Sequence, residues 1–302
     1  MAVVPFRRPP FAACLPFLIV AGACATRSVS APPASPVAAT LGNKTEPKAA
    51  PPPEPVYYHL WVESSGVAAQ ITLNGIPVET VEDSNLAAIA IPINRWMRPG
   101  KNRLHVTGSI DKRRNPYQSW LTAHLVRQTR DDGLEEKVVA EVEFQPTERA
   151  EWMEKVETFV VDRSPPTQLW AETKPVTLDE PTRAAVALLA HELQTALAKK
   201  DVERAAALLD FKVVDIARSL YKSPDEARLE HRQHLESILK DAAFRLDAFN
   251  PEDFTLEVLG DGRLVRISRH ASPAVQARLS QGGRFVLSVY AAQIDGVWRI
   301  VR

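Results

Sequence analysis

The chain has 302 residues, room for one to three domains, and its 37 basic residues balance 37 acidic ones. Charges of both signs are interspersed, and no basic stripe of the kind a phosphate backbone requires is present, which excludes a nucleic-acid partner. Two cysteines occur, Cys14 and Cys24, so the later part of the chain has no thiol to offer a zinc ion.

Residues 1–23 have the layout of a secretory leader. Arg7 and Arg8 precede an apolar core from Phe11 to Val20, and Ala21-Gly22-Ala23 forms a small-residue exit. The apolar core is about half of the ~20 residues a membrane-spanning helix needs. The stretch ending at Cys24 resembles the lipobox of bacterial lipoproteins, with Gly22 and Ala23 in the two positions before the cysteine; Ala21 stands where that family usually has leucine. The resemblance implies cleavage before Cys24, acylation of its thiol (palmitate being a typical chain) and a membrane anchor in the bacterial cell envelope. Ala25, where aspartate would imply inner-membrane retention, points to the outer membrane facing the periplasm. The alternative is ordinary cleavage after Ala21-x-Ala23 and a soluble periplasmic or secreted protein. Cysteine usage favours the anchor, because a lone free thiol is ill suited to an oxidising compartment and a lipidated one is not. Acyl chains contribute ~0.8 kcal/mol per buried methylene.

Residues 24–55 begin with the lipidated Cys24 and continue as a Pro- and Ala-rich linker. So little apolar area cannot offset ordering entropy, and a disordered tether is expected. From 56 to 165, short runs of period two recur between turn residues, and an antiparallel β-sandwich domain is expected. Asn74-Gly75 marks a hairpin and Pro99-Gly100-Lys101-Asn102 a second tight turn. The order Ile71-Thr72-Leu73-Asn74-Gly75, Ile91-Pro92-Ile93-Asn94, Met97 to Leu104 resembles galactose-binding-like jelly rolls. That resemblance implies a carbohydrate-binding face, for which Trp61, Trp96, Tyr117 and Trp120 are the aromatic candidates. Trp96 and Tyr117 fall in loop-like stretches and are the better surface candidates; aromatics on strands otherwise belong to the core.

Prolines at 165, 166 and 175 mark an inter-domain linker over 166–179. A helical pattern follows from Ala184 to Lys199, with Thr177 or Asp179 near its start. Asp201 opens a second helix, and Ser223, with Glu226 three residues on, caps a third over Pro224 to Lys240. Strand-like runs come next: Phe254 to Leu259, Leu264 to Ser268, and Phe285 to Gln293, which turns at Asp295-Gly296 into Val297 to Val301. Helices followed by a meander predict an α+β domain over 180–302. The run from Tyr290 to Val301 is similar to the last hairpin of NTF2-like domains, and Ala196 to Leu209 is similar to one of their helical runs. The resemblance implies helices packed on a curved sheet, with homodimerisation through the open sheet face. The superfamily includes enzymes, binders and scaffolds, so it assigns no activity.

If the cone of such a fold carries chemistry, its polar groups are Asp215, Tyr221, His231, His234, Asp247 and His270. His231 and His234 lie three apart on one helix face, but two histidines do not make a zinc site. No glycine-rich phosphate loop, nucleophile elbow or paired-carboxylate signature occurs, so no catalytic residue, metal or cofactor is assigned. Three functions follow in order. The first is a non-catalytic, lipid-anchored envelope protein that binds a protein partner or ligand. The second is a carbohydrate-binding lipoprotein. The third is an NTF2-like enzyme acting on a small apolar molecule, an idea that fails if Phe244, Phe249 or Trp298 plugs the cone.

Overall fold

Alternating burial marks most of the described strands between Val56 and Val161. The computed structural model describes residues 54–82, 87–110, 119–129, 136–145, 152–247, 253–269 and 272–302; the leader, Cys24, Tyr117, Phe249 and His270 lie outside them. Strand β1 (Val56–Ser65) turns Val56, Tyr58, Leu60 and Val62 inward on alternate positions. It pairs on one side with β4 (Ala87–Pro92) and on the other with β6 (Trp120–Thr129), which continues to β7 (Lys137–Phe144). A second antiparallel sheet has the order β3 (Ile76–Val81), β2 (Val67–Leu73), β5 (Gly100–Ile110), β8 (Trp152–Val161). Leu60 and Leu125 of the first sheet share one apolar core with Ile71 and Leu104 of the second, an arrangement consistent with a β-sandwich. Each such side chain contributes about 1.5–3 kcal/mol by leaving water.

The turn chemistry is realised as the residues dictate. Asn74 (φ 55°) and Gly75 (φ 76°) both take the left-handed conformation that closes a two-residue hairpin, with Leu73 opposite Ile76. The Asn74 Nδ2 donates at 2.8 Å to Oδ1 of Asn102, whose own amide donates to the carbonyls of Arg98 and Gly100. The second tight turn is thus tied to the first by buried amides.

Four helices occur among the described residues: α1 (Leu169–Glu172), α2 (Glu180–Ala198), α3 (Val202–Ser219) and α4 (Pro224–Lys240). Asp179, Asp201 and Ser223 cap the last three, accepting from the backbone N–H groups of Thr182, Arg204 and Glu226. No helix among the described residues is long and apolar enough to cross a membrane. Residues 166–179 include α1, whose Leu169 and Trp170 are buried. A four-stranded antiparallel sheet follows in the order β10 (Phe254–Leu259), β11 (Leu264–Arg269), β15 (Val289–Ile294), β16 (Val297–Ile300). Asp295 and Gly296 close its last hairpin with φ 48° and 77°. A smaller sheet of β9 (Arg245–Leu246), β13 (Val275–Arg278) and β14 (Arg284–Leu287) lies in the same half, and β12 (Ser272–Pro273) pairs β11. The class is α+β with mostly antiparallel sheets.

The run Phe285 to Gln293, expected as one strand, is corrected to two. It breaks at Ser288, and β14 and β15 join different sheets. Apolar content continues across the break, so composition alone does not reveal it.

Residues 52–302 form one compact unit, and the reason lies in the larger C-terminal sheet. Val265, Ile267, Val289, Ala291 and Ile300 pack against the helices. Their alternate neighbours Leu264, Tyr290, Ala292, Ile294 and Val301 belong to the core shared with the N-terminal sheets. The middle of this sheet is buried on both faces, which explains its unbroken apolar runs.

Asn94 rivets the halves together. Its Oδ1 accepts from Tyr58 N at 2.6 Å, and its Nδ2 donates to Val56 O and to Ser219 O, the latter at 2.7 Å. Asn94→Ala orphans these buried backbone groups, and a loss of about 2–3 kcal/mol in urea unfolding is expected.

Candidate functional site

Asn94 also anchors a short 3₁₀ turn, Asn94–Trp96, which places Arg95 and Trp96 against helix α3. On α3, Lys212, Asp215 and Ile216 are three and four residues apart and therefore share a face. With Pro77 and Val78 of β3, Ser288, Tyr290 and Arg302, the turn and the helix enclose a cleft of about 190 Å³.

The cleft is dominated by positive charge. Arg302 is 3% exposed and its Nη2 meets Asp215 Oδ2 at 2.7 Å, in a pair shielded from water on both sides. Asp215 also accepts from Thr167 Oγ1 at 2.7 Å and Gln168 N at 2.5 Å, so with Arg302 its carboxylate takes three hydrogen bonds. The Nη groups of Arg302 also reach the carbonyls of Arg95 and Val301 and, at 3.4 Å, Thr167 Oγ1. Two donors stay unmatched: the Nε groups of Arg95 and of Arg302 are buried and have no hydrogen-bond partner. Both guanidinium groups lie over the Trp96 ring, at 5.5 and 5.4 Å, and Tyr290 meets that ring edge-on at 5.6 Å. The third cation, Lys212, donates to Ser288 O at 3.3 Å, a carbonyl freed by the break between β14 and β15.

Electrostatics follow from this crowding. Burial first, then the charges of Arg95 and Arg302, push the Lys212 ammonium down to about 7. Burial also lowers Arg95 and Arg302, the latter against the opposing pull of Asp215. Arg95, Arg302 and, below pH 7, Lys212 thus crowd positive charge into the cleft, while the Asp215 carboxylate is engaged by Arg302, Thr167 and Gln168. The arrangement can accept an anion, whose charge offsets the repulsion and whose oxygens match the unpaired N–H groups.

A second cavity of about 340 Å³ lies between α3 and α4. Val213, Ile216, Ala217, Leu220 and Ala227 give it apolar walls, with His231 among the α4 residues beside them. Lys212 and Ile216 line both cavities, so the two lie on either side of the same stretch of α3. The His231 Nε2 is buried without a partner, and burial, Lys212 and His234 push this imidazole down to about 4. A folded state that holds His231 neutral loses stability as pH falls from about 6.5 to 4, because the unfolded chain takes the proton first. His231→Gln is expected to flatten the acid limb of stability over that window, measured as urea midpoints from pH 7 to 4.

The residues singled out from sequence are dispersed. Asp215 is the ion-pair partner of Arg302. The Tyr221 hydroxyl accepts from Val56 N at 3.1 Å and its ring packs on Tyr57. Asp247 lies 3.8 Å from Arg278. His231 and His234 do share the α3–α4 cavity, as their spacing requires. Trp96 is corrected: at 4% exposure it is a core residue and offers no ring to a sugar in solvent. Trp120 is half-buried and Trp61 partly exposed on the first sheet. Phe244 is buried in the core between helices and sheet, and the half-buried Trp298 packs against that core. His124, Glu141 and Glu143 come together on the outer face of β6 and β7, where the 2.8 Å contact between His124 and Glu141 accounts for the cluster.

Arg95, Lys212 and Arg302 escaped the sequence reading. The readable trace was Lys212 three positions before Asp215 on a largely apolar helix face. The burial of Arg302 is a tertiary fact with no local signature. Comparison with known proteins assigns no family: no family model, no curated protein and no solved structure matches the chain.

Proposed function

We propose that this chain is a non-catalytic, lipid-anchored cell-envelope protein that binds an anionic ligand in the cleft of Arg95, Lys212 and Arg302. The carrying observation is the pair of buried guanidinium Nε groups without acceptors beside a lysine with a strongly lowered pKa. Such unmatched donors are expensive unless a ligand completes them. The groups of the cleft supply charge and hydrogen bonds, which suits recognition more than bond-breaking. Binding is expected to raise the melting temperature in proportion to occupancy. Inorganic phosphate at fixed ionic strength should stabilise the protein beyond an equal ionic strength of chloride, and an equal response to both salts would refute the cleft as a site.

Within this reading the N-terminal half is a galactose-binding-like sandwich and the C-terminal half an NTF2-like domain. The turn geometry at Asn74-Gly75 and Asp295-Gly296 and the order of helices before sheet support it. The packing of Phe244 and Trp298 weighs against an open cone and an enzyme, and the burial of Trp96 against a glycan site there. The leader pattern ending at Cys24 supports an anchor in the outer membrane. Intact mass and membrane fractionation of the natively expressed protein beside Cys24→Ala test it. Acylated wild type with an unanchored variant is expected; identical unmodified soluble species would remove the anchor.

A further inference from the structure

The two cavities that share Lys212 and Ile216 as lining residues differ in chemistry. One end presents three cations on an aromatic floor; the other is a larger slot walled by aliphatic side chains of α3 and α4. Glu230 and His234 line the slot from α4 and Lys222 from the turn before it, all three solvent-exposed, and the half-buried His231 has no partner for its Nε2. Neither half alone explains the other. A small inorganic anion leaves about 340 Å³ of apolar space unused, and an uncharged hydrocarbon leaves the cationic end uncompensated. The combined outline is that of a small-molecule site, mostly apolar with a few convergent polar groups.

Resting on the cleft as the ligand site, we propose that the ligand is a single-chain amphiphilic anion. Its phosphate or carboxylate head lies among Arg95, Lys212 and Arg302, and its alkyl tail runs between α3 and α4 along Ile216, Leu220 and Ala227. Lys212 stands at the junction and contacts the head from the tail side. The guanidinium Nε donors of Arg95 and Arg302 bind head oxygens through charge-assisted hydrogen bonds, which are about twice as strong as neutral ones. The tail displaces water from aliphatic walls, a favourable transfer of roughly 0.8 kcal/mol per methylene fully buried.

Calorimetric titration of the purified protein with decyl phosphate below its micelle concentration, inorganic phosphate and decanol separates the contributions. Decyl phosphate is expected to bind at least tenfold more tightly than either other probe. Ala227→Phe, which fills the slot, should bring decyl phosphate down to the affinity of inorganic phosphate while leaving the latter unchanged. Leu220→Gln makes the slot polar and should act in the same direction should the larger side chain disturb folding. Equal affinity for decyl phosphate and inorganic phosphate would overturn the tail while leaving the cleft as an anion site. Decanol binding as tightly as decyl phosphate would overturn the head assignment. Binding of none of the three would overturn both.

Discussion

Asp215→Ala is expected to destabilise the folded chain by about 3–5 kcal/mol, the usual consequence of removing one partner from a buried pair. The expectation is large because the carboxylate has no spare role and no substitute. It sits at 0% exposure, neutralises Arg302, and accepts from Thr167 and Gln168 just ahead of α1. Removing it leaves Arg302 buried beside Arg95 and Lys212 with no negative charge in contact. The segment carrying Leu169 and Trp170 is released at the same time. Urea unfolding gives the value directly; a loss below about 1 kcal/mol would mean the pair is incidental. Asp215→Asn keeps the shape and one acceptor, so it should fall between wild type and alanine. If the cleft takes anions, inorganic phosphate should recover part of the stability lost in Asp215→Ala, because it restores the missing charge.

Lys212→Met is expected to do two opposite things: weaken anion binding at least tenfold and raise stability by roughly 1–2 kcal/mol, a few degrees in melting temperature. The folded state holds this amine with a pKa near 7, against an ordinary 10.5. Between those values the unfolded chain binds the extra proton, so stability rises with pH through that window, and the penalty of the charged amine is fully present below pH 7. A methionine of similar length removes that penalty. The figure is kept well below the full shift because Lys212 is half-buried and solvent reaches it through the cleft. An anion beside Lys212 raises its pKa, so binding at pH 8 should take up a proton. Calorimetry in buffers of different ionisation enthalpy detects this, and affinity should weaken as pH rises from 7 to 9. Burial, Arg95 and Arg302 set the Lys212 response, and Tyr290, His231, Glu230, His234 and Lys222 are the other charged or titratable groups lining the two cavities. A site built at the expense of stability is what distinguishes a binding cation from a structural one.

Local chemistry was readable in the sequence where it is self-contained. Asn74-Gly75 and Asp295-Gly296 announce their hairpins because positive φ is a property of the residue, and Asp201 and Ser223 announce helix starts because a cap needs only its own side chain and a nearby N–H. Strands such as β1, β2 and β5 alternate because one face of each is less buried than the other. Legibility ends where burial is two-sided: Val289 to Ala292 are all buried, so nothing in them tells a sheet edge from a sheet centre, or that Tyr290 faces one core and Ala291 another. For the same reason Trp96 read as a loop aromatic and proved to be the floor of the cleft. The site was hidden because its members lie at 95, 212 and 302, and only tertiary packing assembles them. His231 and His234 were legible as a pair because helical spacing alone joins them.

The anion site rests on the two guanidinium Nε groups that lack partners. Proton–nitrogen correlation spectra of the arginine Nε–H signals during titration with inorganic phosphate observe them individually, with assignment through Arg95→Lys and Arg302→Lys. Saturable shifts of the Arg95 and Arg302 signals, with surface signals such as that of Arg204 moving only weakly and linearly, are predicted. If the two buried signals stay fixed, or move no more than that of Arg204, the cationic cleft does not bind anions.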